Sequence, residues 1–303
     1  MDAITLTKVT KTFGTTTAVN DLSLKVPKGS VYGFIGPNGS GKTTTLRMIL
    51  NIFYPDSGNI QFPDFPNGAG VSDRIGYMPE ERGIYTRMKV ADLLKFMAAL
   101  KGKWKIGAEI DQWLKRLDLD SWANRKVETL SKGMSQKVQF LATIVARPNI
   151  VILDEPFSGL DPVNSEAIRE IILELQKDGA TVIFSTHDMN VAERMCDFIF
   201  MIHKGKKVLD GTLSSIQDEY GTDTVRLRAE GGVKHLQDLA QVEKVIDFGQ
   251  EQQLKTAPGC DHRQLLTQIL ERTTVLSFDV IKPSLNDIFI RIAGPTAGEK
   301  NYA

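Results

Sequence analysis

The chain has 303 residues, of which 42% are hydrophobic and 24% are charged, and this balance excludes disorder as a description of the whole chain. The 37 lysines and arginines match 37 aspartates and glutamates, so the net charge argues against a strongly basic nucleic-acid binder. No apolar run approaches the roughly 18 residues of a membrane span. With only Cys196 and Cys260, a disulfide or zinc framework is not expected. The sequence predicts a soluble cytosolic protein of about two domains.

Strand-like and helical segments alternate along the chain, which is typical of an α/β architecture. Alternating polarity predicts half-exposed strands at Ile4–Val9 and Leu22–Val26. Helices are predicted over Lys42–Leu50 and Pro162–Lys177. Continuous apolar runs predict further, buried strands at Ser30–Ile35, Ile150–Leu153, Thr181–Ser185 and Phe198–His203.

Between about Thr86 and Ala146 the strand patterns stop and apolar residues recur at helical spacing. This predicts a helical block inserted into the α/β frame, at about residues 86–147. After about Tyr220 a different pattern begins, with an alternating strand, a helix that Asp261 would cap, and a closing amphipathic helix. We therefore expect one domain over residues 1–218 and a small α+β domain over residues 219–303.

A glycine-rich turn between a buried strand and a helix predicts a phosphate site. Its sequence, Gly36-Pro37-Asn38-Gly39-Ser40-Gly41-Lys42-Thr43 followed by Thr44, matches G-x-x-x-x-G-K-[ST]. Backbone N–H groups can surround a phosphate only where side chains do not obstruct them, as at Gly39 and Gly41. Lys42 would bind the β and γ phosphates, and the Thr43 hydroxyl would ligate Mg²⁺. The alternative is a surface turn with an incidental lysine.

Two acids, Asp154 and Glu155, follow the buried strand Ile150–Leu153. Ligands of parallel sheets bind at the carboxyl ends of the strands, so these side chains are expected near the phosphate loop. Asp154 would hold Mg²⁺, and Glu155 would orient or deprotonate an attacking water. The alternative is a solvated strand end whose acids cap the next helix.

Four further segments make a family resemblance specific. They are Phe13-Gly14, Leu130-Ser-Lys-Gly-Met-Ser-Gln136, Ser158-Gly-Leu-Asp161 and Ser185-Thr-His-Asp188. In this order they resemble the nucleotide-binding subunit of ATP-binding cassette (ABC) transporters over residues 2–215. The resemblance implies a phosphate-loop ATPase core with an antiparallel β-subdomain and an inserted helical subdomain, followed here by the small C-terminal domain.

The resemblance also implies roles for individual residues. Phe13 would stack on adenine, and His187 would contact the γ-phosphate. Ser131 and Gly133 lie in the signature segment, which caps the γ-phosphate held by a second copy of the subunit. Asp161 would lie in a loop that crosses the dimer interface. An ordinary turn before a helix that begins near Ser135 is the alternative for the signature segment.

Two departures separate this chain from the usual family pattern. Lys132 replaces the first glycine of the signature and Met134 replaces its glutamine, while the serine and the second glycine remain. We expect the site to work, with Lys132 pointing to solvent. Glu80 stands where most cassettes carry a glutamine that senses Mg²⁺. A glutamate could ligate the ion but adds charge beside Asp154 and Glu155, so catalysis should depend more on Mg²⁺ than with glutamine. The alternative is an exposed loop acid without a role in catalysis.

The segments Pro79-Glu-Glu-Arg-Gly-Ile-Tyr85, Ser131–Met134 and Lys282–Phe289 are similar to an exporter subfamily whose ATPase subunits serve separate permeases for sodium, drug or antibiotic extrusion. The resemblance implies ATP and Mg²⁺ as cofactors. It also implies a second ATP-binding subunit in a homodimer, a separate transmembrane permease, and attachment to the inner face of the cell membrane. No nucleic-acid partner is expected.

Two other functions compete with export. An ABC-type ATPase can act in translation or DNA maintenance without a permease. The chain has a single phosphate loop, where the translation type usually has two, and the interval between Lys42 and Ser131 has no room for the coiled coil of the DNA type. A regulatory cassette that binds ATP without efficient hydrolysis is disfavoured by intact Lys42, Asp154, Glu155 and His187.

Overall fold

The computed structural model of the chain describes residues 1–65, 71–81, 83–221, 224–230, 236–249, 251–257 and 259–293. The chain divides into two compact units, Met1–Thr212 and Leu213–Ala303. The division therefore lies six residues before the domain boundary at residue 218 that the sequence suggests. No helix within the described ranges is both long and apolar enough to cross a bilayer.

The first unit contains strands and helices in alternation. In chain order they are β1 (Asp2–Phe13), β2 (Thr16–Pro27), β3 (Val31–Ile35), α1 (Lys42–Ile49), β4 (Ser57–Gln61), α2 (Val71–Arg74), β5 (Ile75–Met78), α3 (Val90–Ala99), α4 (Gly107–Arg116), α5 (Lys132–Ile144), β6 (Ile150–Asp154), α6 (Pro162–Lys177), β7 (Thr181–Thr186), α7 (Met189–Met195), β8 (Phe198–His203) and β9 (Lys206–Gly211).

A six-stranded sheet forms the centre of this unit, in the order β5-β6-β7-β3-β8-β9. All its strands are parallel except β9, which pairs antiparallel with β8. Strands β3, β6 and β7 are buried along their whole length, as their continuous apolar sequences predict. Ile35 pairs with Thr186 and Asp154 pairs with Ser185. The loops after these three strands therefore leave the sheet at the same edge.

A second, antiparallel sheet has the order β2-β1-β4. The two strands predicted at Ile4–Val9 and Leu22–Val26 are confirmed, and both are longer than their alternating cores. Their inward residues include Ile4, Val9 and Leu22, which pack with β3 and α1 in one apolar core. The expected antiparallel β-subdomain is therefore present.

Helices α3, α4 and α5 form the inserted helical block, which has no strand in the described residues between Thr86 and Ala146. Its core includes Leu93, Leu114 and Phe140. Helix α5 begins at Lys132, so the alternative of a turn before a helix near Ser135 is wrong. The reason is a cap: Ser131 Oγ accepts a hydrogen bond from the backbone N–H of Met134 at 3.3 Å, which satisfies a free donor of the first turn.

The second unit is an α+β arrangement. Its described elements are α8 (Leu213–Tyr220), β10 (Thr224–Ala229), β11 (Val242–Asp247), β12 (Gln252–Thr256), α9 (His262–Leu270), β13 (Val275–Ile281) and α10 (Leu285–Ala293). The strands form a four-stranded antiparallel sheet in the order β11-β12-β10-β13. As predicted, Asp261 caps α9, accepting from the N–H groups of Arg263 and Gln264 at 3.0 and 3.2 Å. Leu265 and Ile269 pack this helix on the sheet.

Candidate nucleotide-binding site

The loop between β3 and α1 is held so tightly that two of its residues must be glycine. A Cβ atom on Gly36 would lie 2.2 Å from the carbonyl oxygen of Ile202, and one on Gly41 would lie 2.5 Å from that of Ala18. Gly39 has free space around it, but its φ of 75° lies in the left-handed region that favours glycine. From the sequence, Gly39 and Gly41 are assigned to phosphate access, whereas contacts with the protein's own backbone require glycine at Gly36 and Gly41.

Helix α1 begins directly after this loop with its first-turn N–H groups uncapped. Its N-cap residue, Gly41, makes no side-chain hydrogen bond, and no acid stands in the first turn. The positive end of the helix dipole adds to these free donors. The helix start can therefore bind an anion such as a phosphate group.

Lys42 places a buried ammonium group beside the loop. Its Nζ donates to the carbonyl oxygens of Gly36 at 2.6 Å and Pro37 at 3.1 Å. It also lies 4.0 Å from Oε1 of Glu155. Burial lowers the pKa of Lys42, and the nearby carboxylates, that of Glu155 foremost, oppose this shift. Phosphate oxygens would compete with the two carbonyls for the same ammonium.

The carboxylates predicted at the end of β6 lie at the sheet edge and are buried. Asp154 is fully buried, and its Oδ1 accepts a hydrogen bond from the hydroxyl of Ser185. The same hydroxyl accepts from the backbone N–H of Glu155 at 2.9 Å. Glu155 has a φ of 50°, a left-handed conformation that is uncommon for a residue other than glycine. Such backbone strain is frequent at functional sites.

His187 reaches Glu155 across the sheet edge. Its Nδ1 lies 3.0 and 3.1 Å from the two carboxylate oxygens of Glu155. The His187 side chain is 61% exposed, whereas that of Glu155 is only 10% exposed. The pair therefore sets a buried carboxylate behind an accessible imidazole, which suits a base that is oriented by a histidine.

A cleft of about 320 Å³ brings part of the predicted set together, without Asp154 and His187 among its lining residues. Glu80 and Glu155 line it, along with Ala18 and the loop residues Asn38, Gly39, Ser40, Gly41, Lys42, Thr43 and Thr44. Glu80 is exposed, but partial desolvation raises its pKa, and the charges of Asp154 and Glu155 raise it further. Glu80 therefore adds negative charge to an acidic edge, a setting that attracts a cation.

The residues at this edge fit Mg²⁺, which prefers oxygen ligands. Asp154 Oδ2 is buried without a hydrogen-bond partner in the described structure, so it can accept an ion. Thr43 and Glu80 offer a hydroxyl and a carboxylate at the cleft. Among the described residues no three His, Cys, Asp or Glu side chains are grouped to hold a metal. Phosphate oxygens and water would have to complete the coordination, as is usual for Mg²⁺.

The signature residues lie elsewhere. None of Ser131–Met134 is among the described residues that line the cleft. They pack instead on the segment that precedes α6: a Cβ on Gly133 would lie 3.6 Å from Leu160, and the Lys132 side chain passes over Gly159. Lys132 is exposed, as its sequence position suggested.

Asp161 is the last residue of the segment on which the signature residues pack. It also caps the N-terminus of α6. Its Oδ1 accepts from the N–H groups of Val163 and Asn164 at 3.0 and 3.1 Å. The signature residues and the cleft are therefore separate within one copy.

Phe13 is 45% exposed at the end of β1. It is packed edge-to-face against Phe53, with ring centroids 5.3 Å apart, and Lys11 Nζ lies 5.5 Å from its ring. Phe13 does not line the cleft of described residues around the phosphate loop. Its stacking on adenine stays a prediction, and Phe53 is the neighbour that would hold the ring in place.

Sequence reasoning missed three residues that support the site. Ser185 orients the two acids, and two glutamines of α5 reach neighbouring loops. Gln136 Nε2 donates to the carbonyl of Pro156 at 3.2 Å, and Gln139 Nε2 donates to that of Pro79 at 2.8 Å. Helix α5 mixes polar and apolar residues along its length, so no local pattern marks these two glutamines as buried. Arg82, in the quoted Pro79–Tyr85 segment, lies outside the described residues.

Comparison with known proteins identifies the family. A family model for ABC transporters matches residues 19–158, and one for the C-terminal domain of DrrA1-3-like ATP-binding proteins matches residues 211–293. The uncharacterized ABC transporter ATP-binding protein YhaQ of Bacillus subtilis is 38% identical over 293 residues, which are 96% of this chain and 98% of that protein. The chain belongs to the ABC transporter ATP-binding proteins.

Two further comparisons agree with this membership. The Nod factor export ATP-binding protein I of Paraburkholderia xenovorans is 31% identical over 298 residues, 96% of this chain and 97% of that protein. A solved structure of the ATP binding subunit of an ABC transporter has a TM-score of 0.67 and 28% identity, covering 72% of this chain and 93% of that one. Members of this family are ATPases, so the predicted fold and activity are confirmed. The alternative in translation or DNA maintenance has no support here.

Proposed function

We propose that this ABC ATP-binding protein is the ATPase subunit of an exporter, in which two copies close on two ATP molecules and drive a separate permease. The separation of cleft and signature carries the proposal. One copy joins the phosphate loop, Lys42 and the Glu155–His187 pair, while its own signature lies away from this cleft. A twofold head-to-tail dimer supplies the missing half of each site from the partner's identical surface.

Within each site the chain's own groups divide the work. The first-turn N–H groups of α1 and the Lys42 ammonium bind the phosphates. Glu155 orients or deprotonates the attacking water, and His187 holds its carboxylate and reaches toward the γ-phosphate. Thr43, Asp154 and Glu80 would hold Mg²⁺, which supplies charge stabilisation for the phosphates when bound. These steps rely on position and charge, which dominate phosphoryl transfer.

The signature half would come from the partner copy. Ser131 and Gly133 stand at the N-terminus of α5, whose thirteen residues present a helix dipole toward an anion. Asp161, at the start of α6, would lie at the same interface. An isolated copy should therefore bind ATP but hydrolyse it poorly.

Exposed apolar side chains of the helical block support a protein partner. Tyr85, Phe96 and Leu100 are 57%, 36% and 59% exposed, and the rings of Tyr85 and Phe96 pack edge-to-face at 5.4 Å. Groups of exposed apolar residues mark interaction surfaces. We assign this face and the Glu80 loop to a transmembrane permease, which places the protein on the inner face of the cell membrane. The export direction rests on the Nod factor export relative and on the subfamily motifs.

The test uses Glu155→Gln, which should keep ATP binding and hold the closed dimer. The tagged full-length variant is expressed in its own host, extracted in mild detergent with Mg-ATP, and analysed for bound proteins. We expect a polytopic membrane protein that is absent when Lys42→Ala, which cannot hold the phosphates, is used instead. Recovery of ribosomal or DNA-bound partners without a membrane protein would refute export and leave the ATPase assignment intact.

A further inference from the structure

Gln139, on helix α5, is a buried polar residue that the mechanism above does not use. Only 2% of its surface is exposed. Its Nε2 donates to the carbonyl oxygen of Pro79 at 2.8 Å and to that of Glu81 at 3.2 Å. These two carbonyls belong to the residues on either side of Glu80. One side chain thus holds both peptide neighbours of a residue that lines the cleft.

The orientation of the Gln139 amide suits donation. Both contacts use the NH₂ group, and Oε1 is buried without a partner in the described residues. The reversed amide would point its oxygen at two carbonyl oxygens, which repel it. Leaving the buried acceptor of this amide unpaired costs folding free energy. The two hydrogen bonds that the amide donates offset this cost and fix the position of the Glu80 loop.

Other contacts hold this loop less firmly. The salt bridge from Arg47 to Glu81 measures 2.6 Å, but the Glu81 side chain is 69% exposed, and exposed ion pairs contribute little. Upstream, Thr143 Oγ1 donates to the carbonyl of Tyr77 at a longer 3.4 Å. The strand before the loop runs against α5, since a Cβ on Gly76 would lie 2.5 Å from the Thr143 carbonyl oxygen. Among the described residues, Gln139 is therefore the buried attachment nearest to Glu80.

We propose that Gln139 is a positioning residue that holds Glu80 at the metal-binding edge of the cleft. Its contacts act through the peptide groups of Pro79 and Glu81 and not through the reacting atoms. Because the same rigid helix begins at the signature residues, a shift of α5 on contact with a second copy would move Glu80. The inference rests on the metal role given to Glu80 under the proposed function.

The test compares Gln139→Met, which keeps the side-chain length and removes both donors, with wild-type full-length protein. Hydrogen exchange is measured without Mg²⁺ or nucleotide, and ATP turnover is measured against Mg²⁺ at saturating ATP. We expect faster exchange in the peptide that contains Glu80 and a roughly three- to tenfold higher Mg²⁺ concentration for half-maximal turnover. The maximal rate at saturating Mg²⁺ should stay close to that of wild type.

Gln136→Met is the matched control, because Gln136 donates to the carbonyls of Glu155 and Pro156 at 3.5 and 3.2 Å. It should lower the maximal rate and leave the Mg²⁺ requirement unchanged. If Gln139→Met does not fold, Gln139→Asn, whose amide is one methylene too short, carries the same expectations.

A double variant separates positioning from general damage. In a Glu80→Ala background, Gln139→Met should add no further shift in the Mg²⁺ requirement, because the group that it positions is gone. A full additional shift, or unchanged exchange around Glu80 in the single variant, would overturn the inference. Absence of ATP turnover in the wild-type protein, measured at a concentration at which it forms dimers, would overturn the proposed function instead, and the exchange measurement alone would then decide the role of Gln139.

Discussion

The Ser185 hydroxyl accepts a hydrogen bond from the Glu155 N–H at 2.9 Å and donates one to Asp154 Oδ1. Parallel pairing of β6 and β7 places Ser185 beside Asp154. One buried hydroxyl thus orients both the backbone of Glu155, the proposed base, and the carboxylate of Asp154, the proposed metal ligand. It also leaves Asp154 Oδ2 as the oxygen that can accept an ion.

Replacing Ser185 with alanine should therefore damage catalysis more than binding. The change leaves a buried N–H and a buried carboxylate oxygen without their partner, at a cost of about 2 kcal/mol in the free energy of unfolding. Misorientation of Glu155 and Asp154 should lower the maximal ATP turnover about tenfold. ATP affinity, measured with a fluorescent analogue, should change less than about threefold, because the phosphate loop is not touched.

Thr181→Val is the control for the loss of one buried hydroxyl from the same strand. Thr181 lies at the far end of β7, where its hydroxyl accepts from the N–H of Gly29 at 2.9 Å. It should lower the melting temperature in a similar way without a selective loss of turnover. Equal turnover losses in both variants would show that Ser185 acts only through stability.

Alanine at Gly41 should weaken nucleotide binding. The φ of 110° is strained for any L residue, and the new Cβ would lie 2.5 Å from the carbonyl oxygen of Ala18. The loop must shift to relieve this contact, which misplaces the N–H groups at the start of α1. Calorimetry should show at least a tenfold weaker ATP affinity. Gly29→Ala is the control, because Gly29 has a φ of 69° but free space around its Cβ position. This variant introduces backbone strain without a steric clash and should leave ATP binding intact.

Much of the first unit could be predicted because its signals are local. Buried parallel strands have continuous apolar runs, and the sequence boundaries of α6, Pro162–Lys177, agree with the structure. Placement of the acids beside the phosphate loop followed from a topological rule, since the carboxyl ends of β3, β6 and β7 share one edge. These are properties that each segment carries in its own sequence.

Other features depend on distant contacts and left no local signal. Strand β4, Ser57–Gln61, is short, mostly exposed and polar, and it exists because it pairs with β1. Strand β11, Val242–Asp247, is likewise an edge strand, and half of its residues are charged. The contact of Gln139 with Pro79 joins positions 60 residues apart, which no periodicity reveals. The sequence also could not show that the phosphate-loop glycines are required by backbone contacts within the protein.

Glu80→Gln should stabilise the metal-free protein at neutral pH. The pKa of Glu80 lies above its ordinary value of 4.5, first because partial desolvation at the cleft disfavours the charged form of this exposed side chain. A raised carboxyl pKa means that stability is full below the ordinary value and is lost as pH rises through the folded-state pKa. The variant escapes this loss. Because solvent screens the exposed Glu80 side chain, its melting temperature should exceed that of wild type by at most about 1 °C at pH 7.5. The difference should vanish as pH falls toward the ordinary value.

The same variant tests the metal role of Glu80. A carboxylate is a stronger Mg²⁺ ligand than an amide oxygen, and it leaves the cleft more acidic without the ion. Without Mg²⁺, ATP turnover of wild type should therefore fall further below its maximum than that of the variant. Because its metal ligand is weaker, Glu80→Gln should need several times more Mg²⁺ for half its maximal rate. Superimposable Mg²⁺ curves would remove Glu80 from the metal site. Glu81→Gln, a neighbouring exposed acid, provides the charge-matched control.

Mixing two inactive variants tests whether the active site spans two copies. Lys42→Ala removes the phosphate lysine, and Ser131→Arg blocks the signature with a large side chain. A head-to-tail homodimer of either variant has no complete site, because every site contains the damaged element. A mixed dimer has one complete site, formed by the phosphate loop of the Ser131→Arg copy and the signature of the Lys42→Ala copy.

An equal mixture should therefore recover roughly a quarter of wild-type turnover, since half of randomly formed dimers are mixed and each has one working site of two. Recovery should scale with the product of the two variant concentrations and disappear when Glu155→Gln is added to the Ser131→Arg chain. Adding Glu155→Gln to the Lys42→Ala chain should have no effect, because that copy contributes only its signature. Turnover by either variant alone at the wild-type level would mean that one copy completes its own site. A mixture that stays inactive, although cross-linking shows mixed dimers, would mean that the two halves do not meet head to tail.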